Sequence, residues 1–238
     1  MLDKEIDQYD FTMTVFGDVM FYPSLMNSNT LYKVITSELI DSNLIFANLE
    51  FPVHDKKPPS GFPCFNGSVD YFEKVVLPLN LNILNLANNH CFDKGIEGLF
   101  RTISLLSKHN IESIGIKRDK NFSIVNVKGI SVAFTGFTYG TNIVKDRRDE
   151  IINISRLNAV DLSSDDSSEV RNVIRRTKEL SEITILSLHW GLEYELTPTK
   201  NQVELARMFC DEGVDILIGH HPHALQPIEQ YKNKRGTT

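Results

Sequence analysis

The chain has 238 residues, 41% of them hydrophobic and 24% charged, which fits an ordinary soluble globular protein of one large domain or two small ones with a sizeable core. A formal net charge of −6 gives no sign of the basic footprint that nucleic acid calls for, and no apolar run approaches the roughly 18 residues that cross a bilayer. Cys64, Cys91 and Cys210 are odd in number and share no C-x-x-C spacing, and Met1 to Asp7 is acidic rather than basic-then-apolar, so a disulfide framework and a signal peptide are set aside and a cytoplasmic setting is the default.

Thr12 to Phe16 favours a strand that stops at Gly17-Asp18, leaving the Asp18 carboxylate either in a plain turn or at a strand end where chemistry is mounted. Leu31, Val34, Ile35 and Leu39 recur at helical spacing and predict a covering helix over 30–42. Leu44 to Ala47 predicts a second strand, running into Asn48-Leu49-Glu50. The stretch 54–67 reads as an exposed loop bordering a site, with His54 a solvated residue in it. A helical segment over 69–79 ends near Pro78, and Asn82 to Ala87 then forms a strand that delivers Asn88-Asn89-His90 and Asp93. The next helix has an apolar stripe of Ile96, Leu99, Phe100, Ile103 and Leu106 and ends at His109-Asn110. Asp93 either caps this helix or holds the His90 ring by a hydrogen bond.

Ile111 to Ile116 is a short strand, and Phe122–Val127 with Ile130–Thr135 form a hairpin around Lys128-Gly129, which predicts a mixed sheet. From Gly136 to Ser168 the patterning fails and a long polar excursion or a small subdomain is expected, with Arg147 and Arg148 either solvated or facing an anionic substrate. A charged helix spans 168–180. The strand Ile183–Leu188 follows and ends at His189-Trp190-Gly191. The helix 199–212, with Val203, Ala206 and Phe209-Cys210 on its inner side, stops at Gly213. Val214 to Ile218 then reads as a buried strand opening into Gly219-His220-His221-Pro222-His223, which holds three of the seven histidines.

Each polar cluster alone has a bland explanation as a turn. Together they repeat one geometry: an apolar strand followed by Asp18, by Asn48 and Glu50, by Asn89 and His90, by His189, and by His221 and His223. Strands of an α/β sheet that end on one edge bring such residues side by side, and ligands bind in the crevice there. Carboxylate, amide and imidazole donors without thiolate suit Mn, Fe, Zn or Co, and their number suffices for two ions, with a carboxylate such as Glu50 as a bridge.

Phe16-Gly17-Asp18-Val19-Met20, Ala47-Asn48-Leu49-Glu50, Asn88-Asn89-His90 with Asp93 and Gly95, His189-Trp190-Gly191 with Glu193, and Gly219-His220-His221-Pro222-His223 resemble the ordered motifs of the CapA family of poly-γ-glutamate capsule biosynthesis proteins, relatives of the calcineurin-like metallophosphoesterases. The resemblance implies a single domain over 1–238, a four-layer α/β/β/α sandwich with mixed sheets, and two divalent transition metal ions, Mn, Fe or Zn. By it, Asp18 and His223 serve the first metal, Glu50 bridges, Asn89, His189 and His221 serve the second, His90 is the acid and Asp93 orients it. Met20 stands where many phosphoesterases carry a histidine, and the family's Ser-Leu-Gly-Asn-Phe-like run past His-Pro-His is not in this sequence, so the domain is expected to be truncated at its C-terminus. The implied function is a metal-dependent hydrolase or transferase acting on an anionic polymer such as poly-γ-glutamate or on a phosphoester. Its alternative is a non-catalytic subunit that binds polymer or capsule synthase subunits, and family members often act at the membrane or cell surface.

Overall fold

The computed structural model of the protein describes residues 11–27, 42–117, 121–142, 167–234 and 236. Their strands are β1 (Met13–Val19), β2 (Leu44–Leu49), β3 (Ile83–Asn85), β4 (Glu112–Ile114), β5 (Ser123–Val127), β6 (Ile130–Thr138), β7 (Ile183–His189) and β8 (Ile216–His220). The long helices are α1 (Gly95–Lys108), α2 (Ser168–Leu180) and α3 (Lys200–Glu212). Between β2 and β3 the chain from Val69 to Leu79 passes from α through π to 3-10 geometry as it nears Pro78, and left-handed Asn80 closes it.

The strands form two sheets, ordered β1-β2-β3-β4 and β5-β6-β7-β8. The first is wholly parallel. The mixed character expected from the hairpin is confined to the second, where β5 and β6 are antiparallel and the rest parallel. Lys128 (φ 51°) and Gly129 (φ 93°) make the two-residue turn whose twist matches the flanking strands.

Strand β2 explains the layering. All six of its residues are buried, and alternation sends Leu44 and Phe46 to one side and Ile45, Ala47 and Leu49 to the other. Leu44 and Phe46 join Ile83, Phe134, Ile185 and Ile218 in a core between the sheets, where the Phe46 and Phe134 rings stack 5.7 Å apart. Burying each of these large side chains contributes roughly 1.5–3 kcal/mol. On the other side Ile45, Ala47 and Leu49 meet Phe72, Val76, Leu99 and Leu106, while across the molecule Leu186 and Leu188 meet Val173, Ile174, Leu205 and Phe209. The result is an α/β/β/α sandwich. Among the described residues no helix is long and apolar enough to cross a membrane.

Several elements depart from the expectation. Strand β1 runs through Gly17-Asp18 rather than stopping there, because a bulge between Val15 and Asp18 absorbs one extra residue. Strand β6 continues to Thr138, so the pattern holds three residues past Thr135. On α1, Ile96 and Phe100 are exposed, and the inner face is Gly98, Leu99, Thr102, Leu105 and Leu106. The inner face of α3 is Gln202, Leu205 and Phe209, with Val203 and Ala206 only half-buried beside it. Strand β8 ends its sheet, and its Ile216 is exposed rather than buried. The expected helix over 30–42 lies, except for Ser42, outside the described residues, as do Arg147 and Arg148.

Candidate metal centre

Register builds the site. Across the first sheet Asp18, Asn48 and Asn85 are aligned neighbours, and across the second Thr138, His189 and His220. Each row lies at the C-terminal end of its parallel strands, where an α/β sheet presents its ligands. The β1 bulge brings Asp18 into line with Asn48, three residue steps on β1 opposing two on β2. The two rows meet where Asn48 Nδ2 lies 3.3 Å from His189 Nδ1.

Asn48 is fully buried and connects the carboxylates to the histidines. Its Nδ2 donates to Asp18 Oδ1 (2.8 Å) and Glu50 Oε2 (3.3 Å) as well as facing His189, and its Oδ1 accepts from Asn85 Nδ2 (3.0 Å) and Asn88 Nδ2 (3.2 Å). Turning this amide over would set donors against donors, so its orientation is fixed.

Asp18 Oδ2 accepts the His221 backbone N–H (3.1 Å) and pairs with His223 Nδ1 (3.0 Å), and Oδ1 lies 3.4 Å from His220 Nδ1. Burial opposes its charge, yet the rings of His220 and His223 outweigh burial and hold it far below the usual carboxylate range. Reciprocally, the bond to Asp18 raises His223. Glu50 is the opposite case. Burial, reinforced by the Asp18 charge, pushes its carboxyl up to about 10. Its Oε1 has no hydrogen-bond partner among the described residues and lies 3.7 Å from His189 Nε2 and 3.8 Å from His223 Nε2. Burial pushes His189 and His221 below the ordinary imidazole value, which favours the neutral ring, the form that binds metal. His189 Nε2 meets Asn89 Oδ1 at 2.8 Å.

Three sets of side chains bring one ligand atom each within 4.8 Å of the others: Glu50, His189 and His221; Asp18, Glu50 and His223; and Glu193, His221 and His223. These residues could hold metal. The donor set fits a divalent cation, because Glu50 Oε1 and His221 Nδ1 are buried without hydrogen bonds among the described residues and a cation would satisfy them. The backbone is strained to make this arrangement. His221 (φ 95°), His223 (φ 53°) and Tyr194 (φ 62°) all adopt left-handed conformations, at roughly 1–3 kcal/mol each. The Tyr194 N–H donates to the Pro222 carbonyl at 2.7 Å, locking the two histidine-bearing loops together.

Beside the cluster His90 Nδ1 lies 2.7 Å from Asp93 Oδ2, and the Phe65 N–H donates to the same oxygen at 2.7 Å. Asp93 therefore orients His90. The position that caps α1 is Lys94, which makes no side-chain cap bond. The Phe65 ring meets the His90 ring edge-on at 4.7 Å, so the 54–67 loop does border the site. Its His54, expected in solvent, is buried, with Nε2 3.6 Å from Glu97 Oε2, and helps close the loop instead.

A family model described as bacterial capsule synthesis protein PGA_cap matches residues 12–235. The chain belongs to this family. It is 33% identical over 165 residues to the PGA biosynthesis protein CapA of Bacillus subtilis, covering 66% of this chain and 41% of that protein. It is 28% identical over 247 residues to the capsule biosynthesis protein CapA of Bacillus anthracis, covering 96% of this chain and 58% of that protein. A probable polyglutamine synthesis accessory protein of Mycobacterium tuberculosis is 27% identical over 168 residues, with 66% and 43% covered. The chain thus spans about half the length of these curated relatives. In this PGA_cap chain Met20 packs against the core beneath the first sheet, and Asp18, Glu50 and His223 are the residues on that side that could hold metal.

Two residues of this PGA_cap site were not among the expected ligands or acids. Asn142 Nδ2 lies against the His90 ring (3.2 Å from Nδ1, 3.4 Å from Nε2), and its Oδ1 accepts from Asn89 Nδ2 at 3.3 Å. It lies past β6, where periodicity gives no signal. Glu193 is the other, and its two-residue separation from Gly191 in the His-Trp-Gly motif was the signal available.

Proposed function

We propose that this chain is a metal-dependent hydrolase or transferase with a dinuclear centre, acting in capsule synthesis on an anionic polymer of the poly-γ-glutamate type or on a phosphoester. The Glu50 carboxyl carries this reading: it is fully buried, one oxygen lacks a hydrogen bond among the described residues, and that oxygen lies between His189 and His223. On this reading Asp18, Glu50 and His223 hold one ion and Glu50, Asn89, His189 and His221 the other, both drawn from Mn, Fe or Zn. Such ions lower the pKa of bound water toward neutrality and polarise the scissile group.

The protein's own groups do the rest. His90, with Nδ1 held by Asp93, keeps Nε2 to carry the proton given to a leaving group, and Asn142 braces the ring. Asn48 fixes the spacing of Asp18, Glu50 and His189. Metal analysis after supplementation with Mn, Fe and Zn is expected to give about two equivalents. Less than one equivalent would reject the reading. Glu50→Gln is expected to lower both metal content and turnover of phosphoester and γ-glutamyl substrates.

A second reading is favoured by the word accessory in the name of the Mycobacterium tuberculosis relative. In it the chain binds polymer or synthase subunits without catalysis. It predicts that wild type and His90→Ala capture synthase components equally while neither hydrolyses any member of the substrate panel.

A further inference from the structure

The two ligand sets of the proposed centre are unequal. Glu50, His189 and His221 have a fourth donor at hand, because Asn89 Oδ1 lies 2.8 Å from His189 Nε2. Asp18, Glu50 and His223 have only three side-chain donors among the described residues, and the Asn48 amide beside Asp18 turns its NH2 inward, not its oxygen. Glu193 forms the third set with His221 and His223. An imidazole gives one nitrogen to one ion, so Glu193 completes an existing set rather than building a separate ion site. Two further observations tie Glu193 to the centre as a whole, and the set with only three side-chain donors is the one it would complete. His221 is buried with Nδ1 unpartnered among the described residues, and the loop bearing Glu193 is fixed to the histidine loop by Tyr194 N–H to Pro222 carbonyl at 2.7 Å, with Tyr194 and His223 both held at positive φ.

We propose that Glu193 is a metal ligand, supplying the fourth side-chain donor to the ion held by Asp18, Glu50 and His223. This rests on the dinuclear reading above. Glu193 is exposed whereas Glu50, His189 and His221 are buried, so it forms the solvent side of that ion's shell. A carboxylate there sets affinity for one ion of the pair and leaves the other to the buried donors.

The test is titration of the metal-free full chain with Mn(II), followed by calorimetry and by electron paramagnetic resonance of the bound ion, for wild type, Glu193→Gln and Glu50→Gln. Glu193→Gln is expected to weaken one of two binding events at least about tenfold and leave the other unchanged, with metal-free thermal unfolding as in wild type. Glu50→Gln is expected to weaken both. If Glu193→Gln binds both ions as wild type does while Glu50→Gln loses them, the Glu193 assignment fails and the dinuclear reading stands. If wild type binds less than one equivalent, both fail.

Discussion

The two halves of the site are built on opposite principles. On the edge of the first sheet the amides of Asn48, Asn85 and Asn88 bond to one another, to Asp18 and to backbone carbonyls, and every one of these side chains has partners at 2.8–3.3 Å. On the edge of the second sheet His220 and His221 are buried with ring nitrogens that have no hydrogen bond among the described residues, and His221 and His223 adopt left-handed backbone. A satisfied network rigidifies what it touches, whereas buried nitrogens left open cost stability and are retained for what they bind. The amide edge is thus a scaffold, and on the proposed reading the imidazole edge supplies donors to metal.

That contrast predicts where damage shows. Asn48→Ala removes the amide on which Asp18, Glu50, His189, Asn85 and Asn88 converge, and is expected to destabilise the metal-free fold by about 3–5 kcal/mol, the largest effect of the series. Urea unfolding in the presence of chelator measures it. A loss under about 1 kcal/mol would mean that the scaffold is not on this edge.

Glu50 joins the two edges, and its titration gives the next effect. Its ordinary value is 4.5, and burial with the Asp18 charge pushes it up to about 10. Between those values the folded metal-free protein keeps a proton that the unfolded chain has released, so stability falls as pH rises, by at most about 1.4 kcal/mol per unit. His189 and His221 act at the other end. Both are pushed down by burial, so below their ordinary 6.5 the unfolded chain takes up protons and stability falls as pH drops. Urea unfolding with chelator at pH 7, 8 and 9 should therefore show a decline that Glu50→Gln flattens, and an undiminished slope in that variant would assign the decline to another group.

A smaller effect returns to the scaffold. Gly136 of β6 faces Asn85 across the sandwich, and a methyl group there would overlap Asn85 Oδ1. Gly136→Ala should displace Asn85 from Asn48 and cost about 1–3 kcal/mol. Gly129→Ala, with open space around it, controls for glycine replacement, although its own positive φ adds local strain.

Sequence patterning brought Glu50, Asn89, His189, His221 and His223 forward because β2, β3, β7 and β8 are apolar runs with polar residues at or just past their ends, whereas Asp18 sits inside β1, at its bulge. It also showed α2 and α3 closely, since caps and turn glycines such as Thr199 and Gly213 are local signals. What it missed is set by distance in the chain. Asn48 was singled out, but not its place at the centre of a network, because apart from Glu50 its side-chain partners lie 30 to 141 residues away. His54 is buried because Glu97 and Asn66 close over it, and Ile96 and Phe100 are exposed because α1 turns a narrower face inward than its apolar content suggests.

The imidazole edge yields the smallest expected change in stability. His221→Asn removes a buried ring whose Nδ1 has no hydrogen bond among the described residues, and asparagine tolerates the left-handed backbone that position 221 adopts at φ 95°. Lost packing and relieved strain oppose each other, so metal-free unfolding should shift by less than about 1 kcal/mol. Added Mn(II) separates the edges. A ligand that binds only the folded state raises its melting temperature, and in wild type that rise is expected to be large. In His221→Asn it should shrink, because the donor is gone while the scaffold stands. If His221→Asn instead unfolds as readily as Asn48→Ala without metal, His221 supports the fold in its own right, and the division between scaffold and donors fails at the residue that most clearly expresses it.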